Sequence, residues 1–277
     1  MNKVIPLIKN IGIYLLAMSI GILCIFPFYW IISLSFRSKS AIFEMPPKIV
    51  STSFTLDNYF QAFNENNIGR FLFNSFYVVI ISVSIAIFLA SLAAYALAKL
   101  DVKGKATIKK VLVSTQAFPI VVILVPLYFL TRFFNIYNSH AALVIPYVAE
   151  QISICTLLLI GYFSNVHQNF IEAAAIDGCD RLDIFFKIVL PLSLPGIAAC
   201  AIFSFISLWQ EFLLASSFLN NEELYTLTVG LSTFRGQHDT DWGGLMATSV
   251  IIALPSLVMF SFAQNYFINN MAGGIKE

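Results

Sequence analysis

Few side chains in this 277-residue sequence are placed for covalent chemistry. His140, His167 and His238 stand far apart, with no partner at metal-ligand spacing, so no metal site is expected. The four cysteines, Cys24, Cys155, Cys179 and Cys200, show no Cys-x-x-Cys spacing; three lie in apolar runs and read as small packing residues. Gly104-Lys105 is followed by Ala106, and Lys99 stands where a phosphate-cradling loop needs its first glycine, so nucleotide must be bound elsewhere. The most conspicuous ionisable groups are Glu150 and Glu211, carboxylates inside long apolar runs. At a bilayer centre each costs at least about 2.5–3.5 kcal/mol, so both should face the interior of a helix bundle. Proton relay and hydrogen bonding to a neighbouring helix are two uses open to them.

The elements that must position these groups follow from composition. Hydrophobic residues make up 58% of the chain and charged residues 11%, too few charges to cover a water-facing surface. Lys and Arg number 16 against 15 Asp and Glu, which removes the basic excess of a nucleic-acid binder. Six apolar stretches reach the ~20 residues needed to cross a bilayer, at 11–36, 71–98, 111–130, 141–163, 196–219 and 246–268. They read as helices, because barrel strands would be shorter and alternating in polarity. The first is too long for a signal-peptide core and is expected to stay as an anchor. Lys and Arg concentrate in 1–10, in the connection holding Lys99, Lys103, Lys105, Lys109 and Lys110, in 164–195 and in the tail 269–277. That distribution predicts both termini in the cytoplasm and places loops 37–70 and 220–245 outside. The fold class expected is an all-α membrane protein with six transmembrane helices.

The connection 164–195 is far longer than two helices need to turn around. Asn169 and Glu172 have capping-box spacing, which predicts a helix start at Asn169. Ala173, Ala174 and Ala175 are strong helix formers with small side chains, and Gly178 ends the helix. Asp180 and Asp183 repeat the capping spacing ahead of an apolar stripe, Leu182, Phe185, Phe186 and Val189, closed by Pro191 and Pro195. The expected shape is a helix, a glycine turn and a second helix. Phe185 and Phe186 hold it at the membrane surface, and a knob of small residues faces the cytoplasm, suited to a partner's groove. An amphipathic helix resting on the bilayer is the plainer alternative.

Glu172-Ala173-Ala174, Gly178, Ile188 and Leu190-Pro191 together have a spacing that resembles the loop marking membrane subunits of bacterial binding-protein-dependent ABC importers. Thr55-Leu56-Asp57-Asn58-Tyr59, Asn74-Ser75, Ala93-Ala94-Tyr95-Ala96-Leu97-Ala98, Pro126-Leu127-Tyr128, Trp209-Gln210-Glu211-Phe212 and the tail Gln264-Asn265-Tyr266-Phe267, Ala272-Gly273-Gly274-Ile275-Lys276 extend the likeness over nearly the whole chain. They narrow it to carbohydrate permeases of the maltose type.

The resemblance implies a type I importer fold whose transmembrane core occupies 71–268. It implies a second, homologous permease, two copies of a cytoplasmic ATPase that bind ATP and Mg, and an extracytoplasmic sugar-binding protein, in the bacterial cytoplasmic membrane. The cargo would be a carbohydrate, most naturally an oligosaccharide; glycerol phosphate or a polyol, and less readily proton-coupled transport, stay open. The ATPase would grip Glu172, Ala173, Ala174, Ala175, Asp177, Gly178, Arg181, Ile188, Leu190 and Pro191. Glu222, Glu223, Asp239 and Asp241 would meet the binding protein. A sugar needs hydrogen bonds and aromatic faces, which gives the carboxylates a third use. It makes Gln116, Glu150, Gln151, Ser153, Trp209, Gln210 and Glu211 the candidate solute path. Pro27, Pro119, Pro126, Pro146 and Pro255 are expected to kink or end spans.

Overall fold

The computed structural model describes residues 4–51, 53–236 and 240–273, with side chains described for 12–51, 53–236 and 240–262. The chain runs through helices α1 (Val4–Ser35), α2 (Lys39–Ile42), α3 (Asp57–Asn64), α4 (Ile68–Lys99), α5 (Lys105–Thr115), α6 (Ile120–Phe133) and α7 (Ala141–Ser164). It continues through α8 (Gln168–Ile176), α9 (Arg181–Ile184), α10 (Leu190–Leu192), α11 (Leu194–Trp209), α12 (Leu213–Phe218), α13 (Leu227–Thr233) and α14 (Trp242–Gly273). A π-helical turn, Phe185–Val189, joins α9 to α10. Among the described residues the β pairing is a single bridge, Arg235 to Thr240. His238, Asp239, the side chains of Lys3 and Lys9, and the side chains of the 264–276 tail motif lie outside the described residues.

Among the described residues, four helical stretches are long and apolar enough to cross a membrane: Gly12–Ser35, Ile68–Lys99, Ala141–Ser164 and Trp242–Phe262. Two further spans exist only as bent pairs. Lys105–Thr115 and Ile120–Phe133 meet at 97°, and Arg181–Leu192 and Leu194–Trp209 meet at 75°. The helix expected at 111–130 is therefore two helices. Pro119 caps α6 in extended geometry and lacks the amide that would continue α5. The helix expected at 196–219 likewise stops at Trp209, and α12 restarts at Leu213. Pro27, Pro126, Pro146 and Pro255 lie inside α1, α6, α7 and α14.

Two compact units make up the chain. In one, Met1–Gly69 with Leu231–Leu254, the Thr55–Tyr59 motif clamps the end of α1. Asn58 Nδ2 donates to Ser35 O at 2.9 Å and Arg37 O at 2.8 Å, and the Tyr59 hydroxyl meets Ser35 Oγ at 2.8 Å. Arg37 is buried, its guanidinium 5.1 Å from the Trp30 ring centre and donating to Lys48 O at 2.7 Å. Gly243 lets α14 approach Asn58: a Cβ there would lie 2.3 Å from Asn58 Oδ1.

The other unit, Arg70–Gly230 with Pro255–Glu277, holds the α4, α7 and α11 packing. Its core joins Ala90, Ala94 and Tyr95 of α4 to Cys155, Leu159 and Phe163 of α7 and Cys200 of α11, and it continues into Ala174, Ile184, Phe185 and Val189. Cys155 Sγ lies 3.1 Å from Ser204 Oγ across the α7–α11 seam, where small residues let the helices approach.

Candidate functional site

The 165–193 connection is built on that core. α8 ends in a Schellman turn: Cys179 N donates to Ala174 O at 3.0 Å and Gly178 N to Ala175 O at 3.2 Å. Gly178 sits at φ +86°, a left-handed conformation that a β-carbon would strain. Asp180 then caps α9, its Oδ1 accepting from Asp183 N at 2.7 Å. The start of α8 departs from expectation. His167 is its N-cap residue and Asn169 lies inside the helix, with no side-chain cap bond. The preceding turn is held instead by Lys99, whose Nζ donates to Ser164 O at 3.3 Å and Val166 O at 2.6 Å.

The small-residue knob also needs correction, because Ala174 points inward and is buried in the core. Glu172, Ala173, Ala175, Ile176, Asp177 and Gly178 form the exposed edge, with Ile176 87% exposed. Phe185 is no surface anchor: it is buried against Tyr95 at 5.2 Å between ring centres, while Phe186 stays exposed. Tyr95 also donates its hydroxyl to Arg181 O at 3.1 Å. Ile188 and Leu190 pack against the same cluster, and Arg181 and Pro191 are exposed. The alanine-tyrosine motif of α4 is thus the seat of the connection.

The candidate path residues separate into three groups. Gln116, Glu150 and Ser153 line one cavity of about 430 Å³ with Thr115, Phe118 and Pro146. Pro146, Ala149, Glu150 and Ser153 occupy one face of α7, and the opposite wall is the break between α5 and α6. Thr115 and Phe118 are not legible as lining residues in the sequence: Pro119 marks a break, but nothing local says that the break opens onto a cavity. Gln151, one residue from Glu150, is fully buried on another face, and its amide atoms have no partner among the described residues. Trp209 is buried and stacks on Phe205 at 5.4 Å and 14°, with Phe76 at 4.7 Å, so its ring is committed to packing. Gln210 is exposed at the end of α11.

Glu211 is occupied as a structural group. Its carboxylate accepts from Leu214 N at 2.7 Å and Ala215 N at 3.2 Å, capping α12, and from the Tyr147 hydroxyl of α7. Thr228 Oγ1 donates to its carbonyl at 2.7 Å. Of the three uses open to the carboxylates, helix contact fits Glu211.

Loop 220–226 is strapped to its own unit. Asn74 Nδ2 donates to Glu223 O and Tyr225 O, both at 2.9 Å, Ser75 Oγ accepts from Leu227 N at 2.7 Å, and Asn138 Oδ1 accepts from Asn220 N and Asn221 N. His140 Nε2 meets Leu224 O at 3.0 Å. Glu222 and Glu223 are exposed, Glu223 pairing with Arg70 at 3.0 Å. Asp241, half-buried 3.7 Å from Lys39 Nζ, belongs to the other unit.

Bent spans, an anchored surface knuckle and a largely apolar cavity carrying Gln116, Glu150 and Ser153 are what a membrane-embedded transport component needs. The chain belongs to the family of binding-protein-dependent transport system inner membrane components, whose model matches residues 59–272. It is therefore a multi-pass inner-membrane permease subunit of an ABC importer and not the ATPase, since in such systems a partner ATPase handles ATP.

It is 37% identical over 253 residues to the sulfoquinovosyl glycerol transport system permease protein SmoH of Agrobacterium fabrum, covering 91% of this chain and 89% of that protein. It is 30% identical to the trehalose/maltose transport system permease protein MalG of Thermococcus litoralis, covering 96% of each. The structure of a bacterial ABC transporter importing the acidic polysaccharide alginate has the same fold, with TM-score 0.84 at 20% identity over 94% of this chain and 96% of that one.

Proposed function

We propose that this permease carries a carbohydrate, an oligosaccharide in the simplest case, across the bacterial cytoplasmic membrane. It pairs with a homologous permease, and both termini lie in the cytoplasm. Two ATPase copies bind cytoplasmic knuckles, and an external sugar-binding protein docks outside the membrane; the outer-loop carboxylates Glu222, Glu223, Asp239 and Asp241 are its contact candidates on sequence grounds. Relatives named for trehalose/maltose and sulfoquinovosyl glycerol support a sugar-bearing cargo. The cavity beside Glu150, with Gln116 and Ser153 in its walls, is the solute path.

The carrying observation is the exposed edge of α8, fixed to the core at Ala174. A partner seated on that edge can push on α4, α7 and α11 together, because all three share the cluster beneath it. In the assembled complex, Ala175→Glu and Ile176→Asp remove ATPase from affinity-purified permease. Lys110→Ser, on exposed α5, leaves it bound. Undiminished recovery of ATPase with both α8 variants would refute the docking assignment.

A further inference from the structure

The names of relatives leave the charge of the cargo open, since an acidic polysaccharide transporter shares this fold. Glu150 bears on that question. Among the described residues lining the 430 Å³ cavity it is the one ionisable group; its neighbours are hydroxyls, an amide and apolar side chains. Glu211 spends its carboxylate on α12 and Tyr147, whereas the Glu150 carboxylate forms no hydrogen bond or ion pair among the described residues. A carboxylate without a protein partner in a membrane span stays charged only where water surrounds it, and a cavity of about 430 Å³ has room for that water. Low-dielectric walls such as Ile120, Ile123 and Leu127 focus the field of a single charge into the space they enclose.

We infer that Glu150 is a charge filter: it admits neutral saccharides and repels those bearing carboxylate, sulfonate or phosphate groups. The inference rests on reading this cavity as the solute path. Thr115, Gln116 and Ser153 supply hydrogen bonds to hydroxyls, and Phe118, 65% exposed, supplies an apolar face for a sugar ring. Among the described residues no cation lines the cavity to offset a second negative charge. Glu150 is a specificity residue rather than a step in energy coupling.

The test uses the assembled permease–ATPase complex carrying Gln116→Cys, with labelling counted above the parent complex. Cationic and anionic methanethiosulfonates of similar size are compared, each rate normalised to its rate with a free thiol. The cationic reagent should react faster on the order of tenfold. Glu150→Gln and Glu150→Ala should each bring the ratio close to one, and Glu150→Asp should preserve it.

A ratio unchanged by removing the carboxylate overturns the filter while leaving the path intact. Failure of both reagents to reach Cys at 116 overturns the path itself. Uptake carries the same signature. Removing the charge should raise transport of an acidic oligosaccharide relative to its neutral counterpart, and an unaltered preference counts against the filter.

Discussion

At the scale of single residues, two carboxylates in apolar surroundings have different work. Glu211 accepts two backbone amides of α12 and the Tyr147 hydroxyl, so removing it leaves three donors without that partner. Glu211→Ala should lower stability by about 1–3 kcal/mol, and Tyr147→Phe, which removes one of those bonds, by about 1 kcal/mol or less. Thermal unfolding of the detergent-solubilised complex gives the order; equal midpoints for the two variants would contradict the capping role. Glycine also works at this scale. A Cβ at Gly196 would lie 2.3 Å from the Tyr162 ring, and one at Gly230 would lie 2.1 Å from the buried Phe71 ring. Both positions are close approaches within one unit and would be overpacked by any larger residue.

Among elements, the 165–193 connection shows how local signals and tertiary support combine. Gly178 and Asp180 act through backbone geometry and a cap, both written in consecutive residues. A β-branched residue at 178 meets the left-handed penalty of roughly 1–2 kcal/mol, so Gly178→Val should loosen the end of α8. Asp180→Ala should cost α9 about 1 kcal/mol. Limited proteolysis of the complex should cut this connection sooner in both variants, with Gly178→Val the more sensitive; protection equal to the parent would contradict this account. The capping-box spacing places the start of α8 at Asn169, but it does not say whether a distant Lys99 will hold the turn instead, and the helix starts after His167. Three successive alanines look alike in sequence, and only the seat formed by α4, α7 and Phe185 decides that Ala174 is the one turned inward.

For the whole molecule, the division of labour is the main consequence. The chain is a permease subunit, and ATP is handled by a partner. Liposomes holding this chain and its permease partner, supplied with binding protein and sugar but no ATPase, should show no accumulation above the external concentration. Adding the ATPase and ATP should restore it. Accumulation driven by a proton gradient without the ATPase would overturn the coupling scheme.

Composition and run length alone determined that the chain is helical and lipid-solvated, and they placed the apolar stretches. Spacing alone determined the Gly178 turn, the Asp180 cap and the family likeness. These are readable because they depend on neighbours a few residues apart. Prolines 119, 191 and 195 mark the breaks in the sequence; tertiary structure decided how sharply the chain bends there and which polar residues meet a cavity. Residues 150 and 151 differ by a turn of about 100° around the helix axis, and hydropathy treats that region as a single apolar run. Only the packing of α7 against its neighbours leaves Glu150 facing open space, hides Gln151 and seals Trp209 between rings.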